Sequence, residues 1–506
     1  MSVKSRISID PEALLTAPGM RDVVLSALGA AHARTRLRIH VEDCPRPCSP
    51  VWEAHLRRIL NWMDIVRNED IFFQSRNAEH YRIAAARLIT GNRAYCSEPD
   101  QNGRRPVRFL IPIPDDNSRC LRDAGFARIR LNPESTVVIS SHGVRYCREG
   151  ETKRLESTLA SMASLVLHDS RERPFFRLKG HLEEVLAGRV IRIRNASSLV
   201  FPRKEVFFHD PIHGTVAVPL DRFADPVIVR SDGTPCGHLT NVLDDIDGNV
   251  TRIFCRGNQA ETICRRLLLY GAFDYPAPEF WQLPPVEGDL PGVSELRREG
   301  ILPDALLNHL AGVGRRRAGG EKQSFPELVR RFLPETIVPG GVLSRETLDR
   351  LNLAYFQELS DEEYEEACAP FCHAGSRRAE FPEVAALMRP FTISPLAAGR
   401  WREFFTTSLP EGDEAARRRP ATVEMAETFR NLADALEEIP ERDAQEIREL
   451  LEMPEISGAV DPEALEKELV LALLGLEDPL DSAKVISLIG TEVTVERLRF
   501  LTSESL

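Results

Sequence analysis

The sequence predicts an α/β fold with a parallel sheet, an α+β insertion that interrupts it, and all-α domains that follow. Three observations predict it. Strand-like and helix-like apolar patterns alternate over residues 1–95 and again over 226–291. Short strand-like runs separated by Asp, Asn, Gly and Pro occupy residues 96–225. Helical patterns alone fill residues 292–385 and 386–506, and a chain of 506 residues is too long for one hydrophobic core.

The first segment alternates between helical and strand spacing. Apolar residues recur with helical spacing over 19–34, and Leu37–Val41 alternates like a strand. Two more helices are predicted over Pro50–Met63 and 78–89. Because strands that alternate with helices pair in parallel, we expect a parallel sheet covered by helices.

The inserted segment is predicted to be mostly strands, with one helix over 155–167. Its strand-like runs cover 107–113, 127–131, 136–139, 190–193 and 206–208. Beyond residue 292, breaks between helices are expected at Gly319-Gly320, at 339–341 and at 412–420.

Composition and charge restrict the function classes. The formal net charge of −12 argues against bulk attraction to nucleic acid, although local arginine clusters can still form RNA-facing surfaces. The candidate clusters are Arg315–Arg316–Arg317, Arg417–Arg418–Arg419 and Arg189 with Arg192 and Arg194. No apolar run is long enough to span a bilayer and the N-terminus lacks a signal-peptide core, so we expect a cytoplasmic protein with no membrane partner.

The cysteines do not predict a metal site. Cys44 and Cys48 are four residues apart, as are Cys368 and Cys372, and His373 follows the second pair. A structural zinc site needs four converging ligands, and these two pairs are far apart in sequence. We therefore interpret them as reduced thiols and expect no structural metal.

A series of ordered motifs resembles those of glutamyl-tRNA synthetases. The motifs are 41–43 (VED), 74–76 (QSR) with Tyr81, 230–235 (RSDGTP), 238–245 (HLTNVLDD), 256–257 (RG), 267–273 (LLLYGAF), 280–284 (FWQLP), 299–308 (EGILPDALLN) and 485–490 (VISLIG). They extend over nearly the whole chain in the family's order. The chain therefore resembles the Glu/Gln subfamily of class I aminoacyl-tRNA synthetases.

The resemblance implies a domain layout and partners. Residues 1–95 and 226–291 would form a Rossmann-like class I catalytic domain, and 96–225 an enlarged acceptor-end-type insertion. Residues 292–385 would form a helical stem-contact domain and 386–506 a helical anticodon-binding domain. The ligands implied are ATP and a tRNA of the glutamate type or another RNA. A monomer is expected, with residues 96–207 as a surface for a protein partner.

The resemblance also implies site residues. Arg6, Glu42 and Arg256 would bind the amino acid, with Arg6 suited to holding a carboxylate bidentately. Gly19 and His238 would lie at the nucleotide. The structural alternatives are salt bridges at strand ends for the charged residues and a satisfied helix-start histidine for His238. In the same region, Asp244 and Asp245 are expected to cap and solvate a helix end.

Three departures from the family bear on catalysis. The signature histidine, which contacts the ATP phosphates, is Thr16 here, and the glycine two residues on is Pro18, which has no N–H to donate. The lysine-rich signature loop should lie within 285–298, which contains no lysine; Arg297 and Arg298 there are assigned to the following helix. The aromatic residue that the family places against the amino acid is Gly237.

These departures leave three hypotheses open. Because adenylate formation depends on preorganised donors, each worth on the order of 10²–10³ in rate, a scaffold with impaired or absent catalysis is the first. A divergent but active glutamate–tRNA ligase, in which arginines replace the lost groups, is the second. A synthetase fold reused for another transfer involving glutamyl-tRNA or another acid is the third, motivated by the long insertion.

Overall fold

The structure is a computed structural model that describes residues 4–44, 46–66, 70–99, 101–111, 120–131, 136–141, 143–148, 151–155, 159, 162–220, 223–316, 322–371, 381–406, 422–438, 443–476 and 480–502. The chain forms two compact units. Residues Met1–Ser294 and Leu307–Thr347 make the first unit, and Glu295–Leu306 and Leu348–Leu506 make the second.

The strands, in chain order, are β1 (Ser5–Ile9), β2 (Leu37–Val41), β3 (Ile71–Phe73), β4 (Ala94–Cys96), β5 (Val107–Phe109), β6 (Leu121–Arg130), β7 (Val137–Ser140), β8 (Gly143–Arg148), β9 (Glu151–Arg154), β10 (Val166–His168), β11 (Pro174–Arg177), β12 (Ile191–Ile193), β13 (Ser198–Asp210), β14 (Gly214–Pro219), β15 (Val227–Val229), β16 (Arg252–Arg256), β17 (Glu279–Leu283), β18 (Val286–Glu287) and β19 (Gly341–Val342).

The α-helices are α1 (Pro11–Leu14), α2 (Ala17–His32), α3 (Pro50–Met63), α4 (Ala78–Thr90), α5 (Leu182–Leu186), α6 (Gly237–Gly248), α7 (Ala260–Ala272), α8 (Val293–Arg298), α9 (Pro303–Gly312), α10 (Phe325–Arg330), α11 (Arg345–Gln357), α12 (Asp361–Cys368), α13 (Phe381–Met388), α14 (Pro395–Thr406), α15 (Val423–Glu437), α16 (Ala444–Glu452), α17 (Pro454–Ser457), α18 (Pro462–Leu474), α19 (Ser482–Ile489) and α20 (Thr491–Thr502).

A five-stranded parallel sheet forms the centre of the first unit, and it confirms the predicted sheet. Its strand order is β17-β16-β1-β2-β3, so β1 pairs with β2 on one side and with β16 on the other. Successive strands leave β1 in opposite directions, which places a topological switch point between the carboxyl ends of β1 and β16. Ligands of open parallel sheets bind at such a crevice.

Helices cover this sheet as the apolar spacing predicted. α2 buries nearly every residue from Ala17 to Ala30, and α3 has the bounds that the sequence predicted. α6 and α7 place Leu239, Val242, Ile263 and Leu267 in one core with β16 and β17.

The inserted segment is built on the long strand β13, which pairs antiparallel with β6, β10 and β14. The helix predicted over 155–167 is wrong: its described residues form turns and then β10. Leu159, Met162 and Leu165 are all buried and lie three residues apart. That spacing imitates a helical face, although the backbone there turns and then joins the sheet.

The second unit is helical among its described residues, as predicted. One core joins Leu302, Leu351, Phe356, Tyr364 and Cys368. A larger core is made by apolar side chains of α13–α16 and α18–α20, with Ile456 of α17. The break predicted at 339–341 reaches the first residue of β19, and this strand corrects the expectation that residues 292–385 are helical throughout. The breaks predicted at Gly319-Gly320 and 412–420 lie outside the described residues. Within the described ranges, the search for a helix long and apolar enough to cross a membrane found none.

Candidate functional site

A cavity of about 170 Å³ lies at the switch point, where β1, β2 and β16 end. It is lined by Arg6, Ser8, Ile9, Asp10, Glu42, Ile253, Phe254, Cys255, Arg256, Gln259 and Arg266. The three residues predicted to bind the amino acid, Arg6, Glu42 and Arg256, therefore line the same cavity. We call it the inner cavity.

Arg6 already binds a carboxylate of the protein itself. Its Nε and Nη2 donate to the two oxygens of Asp245, with Nη2–Oδ2 at 2.6 Å, and its Nη1 donates to Ser8 Oγ. Both members of the pair have fully buried side chains, and the Tyr270 hydroxyl also donates to Asp245. The bidentate geometry expected of Arg6 is present, but it serves an internal ion pair.

The expectation that Asp244 and Asp245 cap and solvate the end of α6 is wrong. Asp244 is 4% exposed and Asp245 is fully buried. Asp244 accepts hydrogen bonds from Tyr81 at 2.7 Å and from Gln74 Nε2 at 2.8 Å. Burial raises the pKa of Asp244 to about 7, against the effect of these two donors. The pair joins α6 to β1, α4 and the turn after β3.

Glu42 is oriented by Asn241, whose Nδ2 donates to Glu42 Oε1 at 2.8 Å. Ser8 Oγ in turn donates to Asn241 Oδ1 at 2.6 Å. Arg266 Nη2 lies 4.0 Å from the same Glu42 oxygen, so a cation from α7 faces the carboxylate across the inner cavity. The sequence did not single out Arg266.

Arg256 ends β16 and both lines the inner cavity and forms a salt bridge. Its Nε donates to Asp22 Oδ2 at 2.9 Å, while Arg21 Nη1 donates to Asp22 Oδ1 at 2.9 Å. The side chain keeps 31% of its surface exposed. The strand-end salt bridge considered from the sequence is present, and amino-acid binding by Arg256 stays a prediction.

Thr16 and Gly19 form a helix cap. Thr16 Oγ1 accepts from the backbone N–H of Gly19 at 3.1 Å and donates to the carbonyl of Ala13 at 2.7 Å. Thr16 is thus the N-cap of α2. Gly19 lines neither the inner cavity nor the larger one described below, and its amide is used by the cap.

Residues 285–298 form ordered secondary structure. Val286 and Glu287 pair in parallel with Gly341 and Val342 of β19, and the N–H of Leu343 donates to the Glu287 carbonyl at 2.8 Å. Gly288 has φ +109°, and a Cβ there would lie 2.5 Å from the Leu343 carbonyl oxygen. α8 follows and ends with Arg297 and Arg298, as predicted.

A larger cavity of about 490 Å³ contains His238. Its lining is Arg108, Ala224, Asp225, Pro226, Val227, Arg230, Cys236, Gly237, His238, Arg265 and Arg266. We call it the arginine cavity. Arg266 lines both cavities, and the Arg265-Arg266 pair on α7 is the sequence signal that could have revealed it.

His238 lies in the first turn of α6, away from the inner cavity. Burial, with a contribution from Arg266 and Arg265, lowers its pKa to about 4, so the ring is neutral at physiological pH. Its Nδ1 is buried and has no hydrogen-bond partner among the described residues. The interpretation of His238 as a satisfied helix-start histidine therefore does not describe this ring.

The cysteines behave as thiols where the structure describes them. Cys44 and Cys48 are free, and burial, followed by the charge of Asp43, raises the pKa of each to about 11. Cys368 is buried, whereas Cys372 and His373 lie outside the described residues. A search of the described ranges for groups of His, Cys, Asp and Glu that could hold a metal ion returned none.

The arginine clusters differ in exposure. Arg315 is 9% exposed and donates to the backbone carbonyl of Arg331 at 2.8 Å, so it is not a surface contact for RNA. Arg417–Arg418–Arg419 lies outside the described residues. Arg189, Arg192 and Arg194, beside and within β12, are exposed.

Comparisons with known proteins agree with this architecture. Residues 182–287 match the model of the family described as tRNA synthetases class I (E and Q), catalytic domain. A glutamate–tRNA ligase of Symbiobacterium thermophilum is 23% identical over 534 residues, covering 98% of this chain and 99% of that protein. One of Oleidesulfovibrio alaskensis is 27% identical over 328 residues, covering 62% of this chain and 70% of its own.

Solved structures give the same result for the fold. The crystal structure of a glutamate tRNA ligase from Elizabethkingia meningosepticum, in complex with its amino acid, has a TM-score of 0.63 at 18% identity and covers 100% of both chains. That of a glutamate-tRNA synthetase from Elizabethkingia anophelis has a TM-score of 0.62 at 18% identity. The fold is therefore that of a class I synthetase with helical domains after the catalytic one.

Proposed function

We propose, from the premise that the chain is a glutamyl-tRNA synthetase-like protein, that it binds an acidic amino acid and RNA but forms an aminoacyl-adenylate poorly or not at all. The observation that carries the proposal is Thr16. Where the resemblance places a phosphate-contacting histidine, this chain has a hydroxyl that is used at both its donor and acceptor ends by the α1–α2 corner.

The residues around that corner do not fit the triphosphate of ATP. Gly19 gives its N–H to the cap, and Pro18 has none to give. No lysine occurs within 285–298, and the first part of that stretch pairs with β19. Attack of a carboxylate on an α-phosphate builds negative charge that such donors stabilise, and the corner and residues 285–298 do not supply them.

The inner cavity nevertheless suits glutamate. Arg256 and Arg266 supply cations that can receive two carboxylates, and Glu42 supplies an acceptor for an ammonium group. Asn241 and Ser8 orient Glu42 before any ligand arrives. These groups lie at the carboxyl ends of neighbouring strands, where a parallel sheet binds its ligands.

Two measurements test the proposal. ATP–pyrophosphate exchange with glutamate, with and without glutamate-type tRNA, should stay far below ordinary synthetase turnover of about 1–10³ per second. Calorimetry should detect glutamate binding that weakens at least about tenfold in Arg256→Gln, since a charge-assisted hydrogen bond is lost. Arg252→Gln, on the same strand and paired with Glu279, is the matched control. Exchange at ordinary rates, or no glutamate binding, would contradict the proposal.

A divergent but active glutamate–tRNA ligase is the second candidate. It is favoured by the charged groups Glu42, Arg256 and Arg266 in the inner cavity, and it requires other cations at the triphosphate. Arg297 and Arg298 are the candidates nearest in sequence to the absent lysine loop. If they serve that role, Arg297→Gln with Arg298→Gln should abolish charging of tRNA. Charging that persists in this variant would exclude the role of these two arginines, and no charging by the wild type would exclude the active ligase.

A further inference from the structure

We propose that the arginine cavity is a second anion site, which binds a carboxylate or phosphate group in addition to the acidic amino-acid group held in the inner cavity. The ligand would be a small acidic molecule longer than glutamate, or glutamate together with a separate phosphate-bearing molecule. The inference rests on the proposed function for the amino-acid group, but the second site can be tested without it.

The charge of the lining favours an anion. Arg108, Arg230, Arg265 and Arg266 line the cavity against one carboxylate, Asp225. That carboxylate is already used, because Oδ1 accepts from the N–H of Ile111 and Oδ2 from the Tyr95 hydroxyl, both at 3.0 Å. Arginine is the side chain best suited to hold a carboxylate or phosphate through two parallel hydrogen bonds.

Arg266, the cation that the arginine cavity shares with the inner cavity, supplies a second observation, because one of its donors has no partner among the described residues. It is only 6% exposed, and its Nε has no hydrogen-bond partner among the residues that the structure describes. Its closest recorded approach to a carboxylate is the 4.0 Å between Nη2 and Glu42. A buried donor without a partner is costly, and the Nδ1 of His238 is a further buried polar atom on the same cavity that has no partner among the described residues. An anionic acceptor would satisfy Arg266.

Gly237 gives the cavity its size. A Cβ built there meets only Asn241 Nδ2, at 3.6 Å, so the space beside it is open. The synthetases that this chain resembles place an aromatic side chain at this position, and here that space belongs to the cavity. The volume of about 490 Å³ lies in the range of roughly 300–1,000 Å³ usual for small-molecule sites.

Calorimetry with the full chain and three probes tests the inference. The probes are glutamate, the dipeptide γ-glutamylglutamate, which carries one carboxylate more than glutamate, and inorganic phosphate. We expect the dipeptide to bind at least about tenfold more tightly than glutamate, or phosphate to bind on its own. Either gain should be lost in Arg266→Gln and in Arg230→Gln, which alters an exposed arginine of the lining. Arg122→Gln, an arginine outside the cavity that is 48% exposed, should keep it.

Gly237→Tyr refills the cavity and separates steric from electrostatic effects. The dipeptide should weaken at least about tenfold more than glutamate in this variant, because the added ring occupies the space beside Asn241. If only the dipeptide shows binding that depends on Arg230 and Arg266, the second anion belongs to the same ligand as the amino-acid group. If only phosphate shows it, the second anion is a separate phosphate group.

The inference is overturned if the dipeptide binds no better than glutamate and phosphate binding does not respond to Arg230→Gln or Arg266→Gln. Failure of the proposed function looks different. If glutamate does not bind but phosphate binds with the expected dependence on Arg230 and Arg266, the anion site stands and the amino-acid site does not.

Discussion

At the scale of single residues, Asp245 compensates a buried positive charge in the first unit. It is the carboxylate partner of the fully buried Arg6, and it also accepts from Tyr270. Removing one partner of a buried pair leaves the other charge uncompensated, which costs about 3–5 kcal/mol. Asp245→Asn should therefore lower the free energy of unfolding by that amount.

Urea unfolding followed by tryptophan fluorescence is the measurement, because Trp52, Trp62 and Trp281 all belong to the first unit. The matched control is Glu205→Gln, which removes the partner of Arg122 on the surface of the same unit. An exposed pair contributes at most about 1 kcal/mol. Equal decreases in the free energy of unfolding of the two variants would show that the buried Arg6–Asp245 pair stabilises the fold no more than the surface pair does.

His238 gives the molecule a pH dependence of defined sign. The pKa of its ring falls to about 4 in the folded chain, against an ordinary value of 6.5. The unfolded chain therefore takes up the proton first as pH falls. The stability from a neutral His238 is fully present above pH 6.5 and is lost as pH falls from 6.5 towards 4, at up to about 1.4 kcal/mol per pH unit.

As pH falls from 6.5 towards 4, the free energy of unfolding should therefore decrease more in the wild type than in His238→Gln. NMR of the labelled ring should show protonation with a midpoint near pH 4 rather than 6.5. His80→Gln, which removes a half-exposed histidine of α4, is the control for losing an imidazole. A ring that titrates near 6.5 would mean that His238 is solvated.

At the scale of elements, the α1–α2 corner depends on a glycine for packing. A Cβ on Gly19 would lie 1.9 Å from the backbone carbonyl oxygen of Ala13, so α1 or α2 must move to accept it. We expect Gly19→Ala to lower the free energy of unfolding by about 1–3 kcal/mol, the usual cost of overpacking.

Gly271→Ala, on another helix of the same unit, should instead raise the free energy of unfolding. No atom lies within 4 Å of a Cβ at Gly271, near the end of α7. Alanine is the better helix former, so this variant should gain about 0.4–1 kcal/mol. Urea midpoints of the two variants check the pair; destabilisation of both would implicate helix ends rather than the Ala13 contact.

The elements of the parallel sheet were predictable because burial follows simple periods. Leu37–Val41 and Pro50–Met63 have the bounds that apolar spacing indicated, since their apolar side chains at strand and helix spacing are buried. The period failed over 155–167, where three buried apolar residues at helical spacing belong to turns and β10. Pairing of β10 with the distant strand β13 determines the secondary structure at the end of that segment. The local apolar pattern carries no information about this pairing.

The site was predictable in position and less so in its contacts. The family resemblance singled out Glu42 and Arg256, and both line one cavity at the edge of the sheet where its parallel strands end; their binding of an amino acid stays a prediction. The sequence could not reveal that Arg6 is paired with Asp245, since 239 residues separate them. Arg266 was missed for a different reason: the adjacent Arg265-Arg266 pair was a usable signal, but it lies on a helix that the apolar pattern assigns to the core.

At the scale of the whole molecule, the net charge of −12 repels RNA, so any RNA contact must be made by a local cluster of cations. The exposed cations that the structure describes within the insertion include Arg192 and Arg194, on and just after β12. They are two residues apart, so they lie on the same face of the extended chain. If the proposed RNA binding uses this face, each arginine neutralises about one phosphate.

Arg192→Gln with Arg194→Gln should then weaken tRNA binding and reduce the slope of log affinity against log salt by about two. The measurement is tRNA binding across a salt series. The matched control is Arg122→Gln with Arg128→Gln, the same change of charge on β6 of the insertion, where both guanidinium groups are paired with Glu205 and Glu172. Because those cations already have partners, the control should leave the slope nearly unchanged. An equal reduction in both variants would mean that net charge alone governs binding, and that the β12 face makes no phosphate contacts of its own.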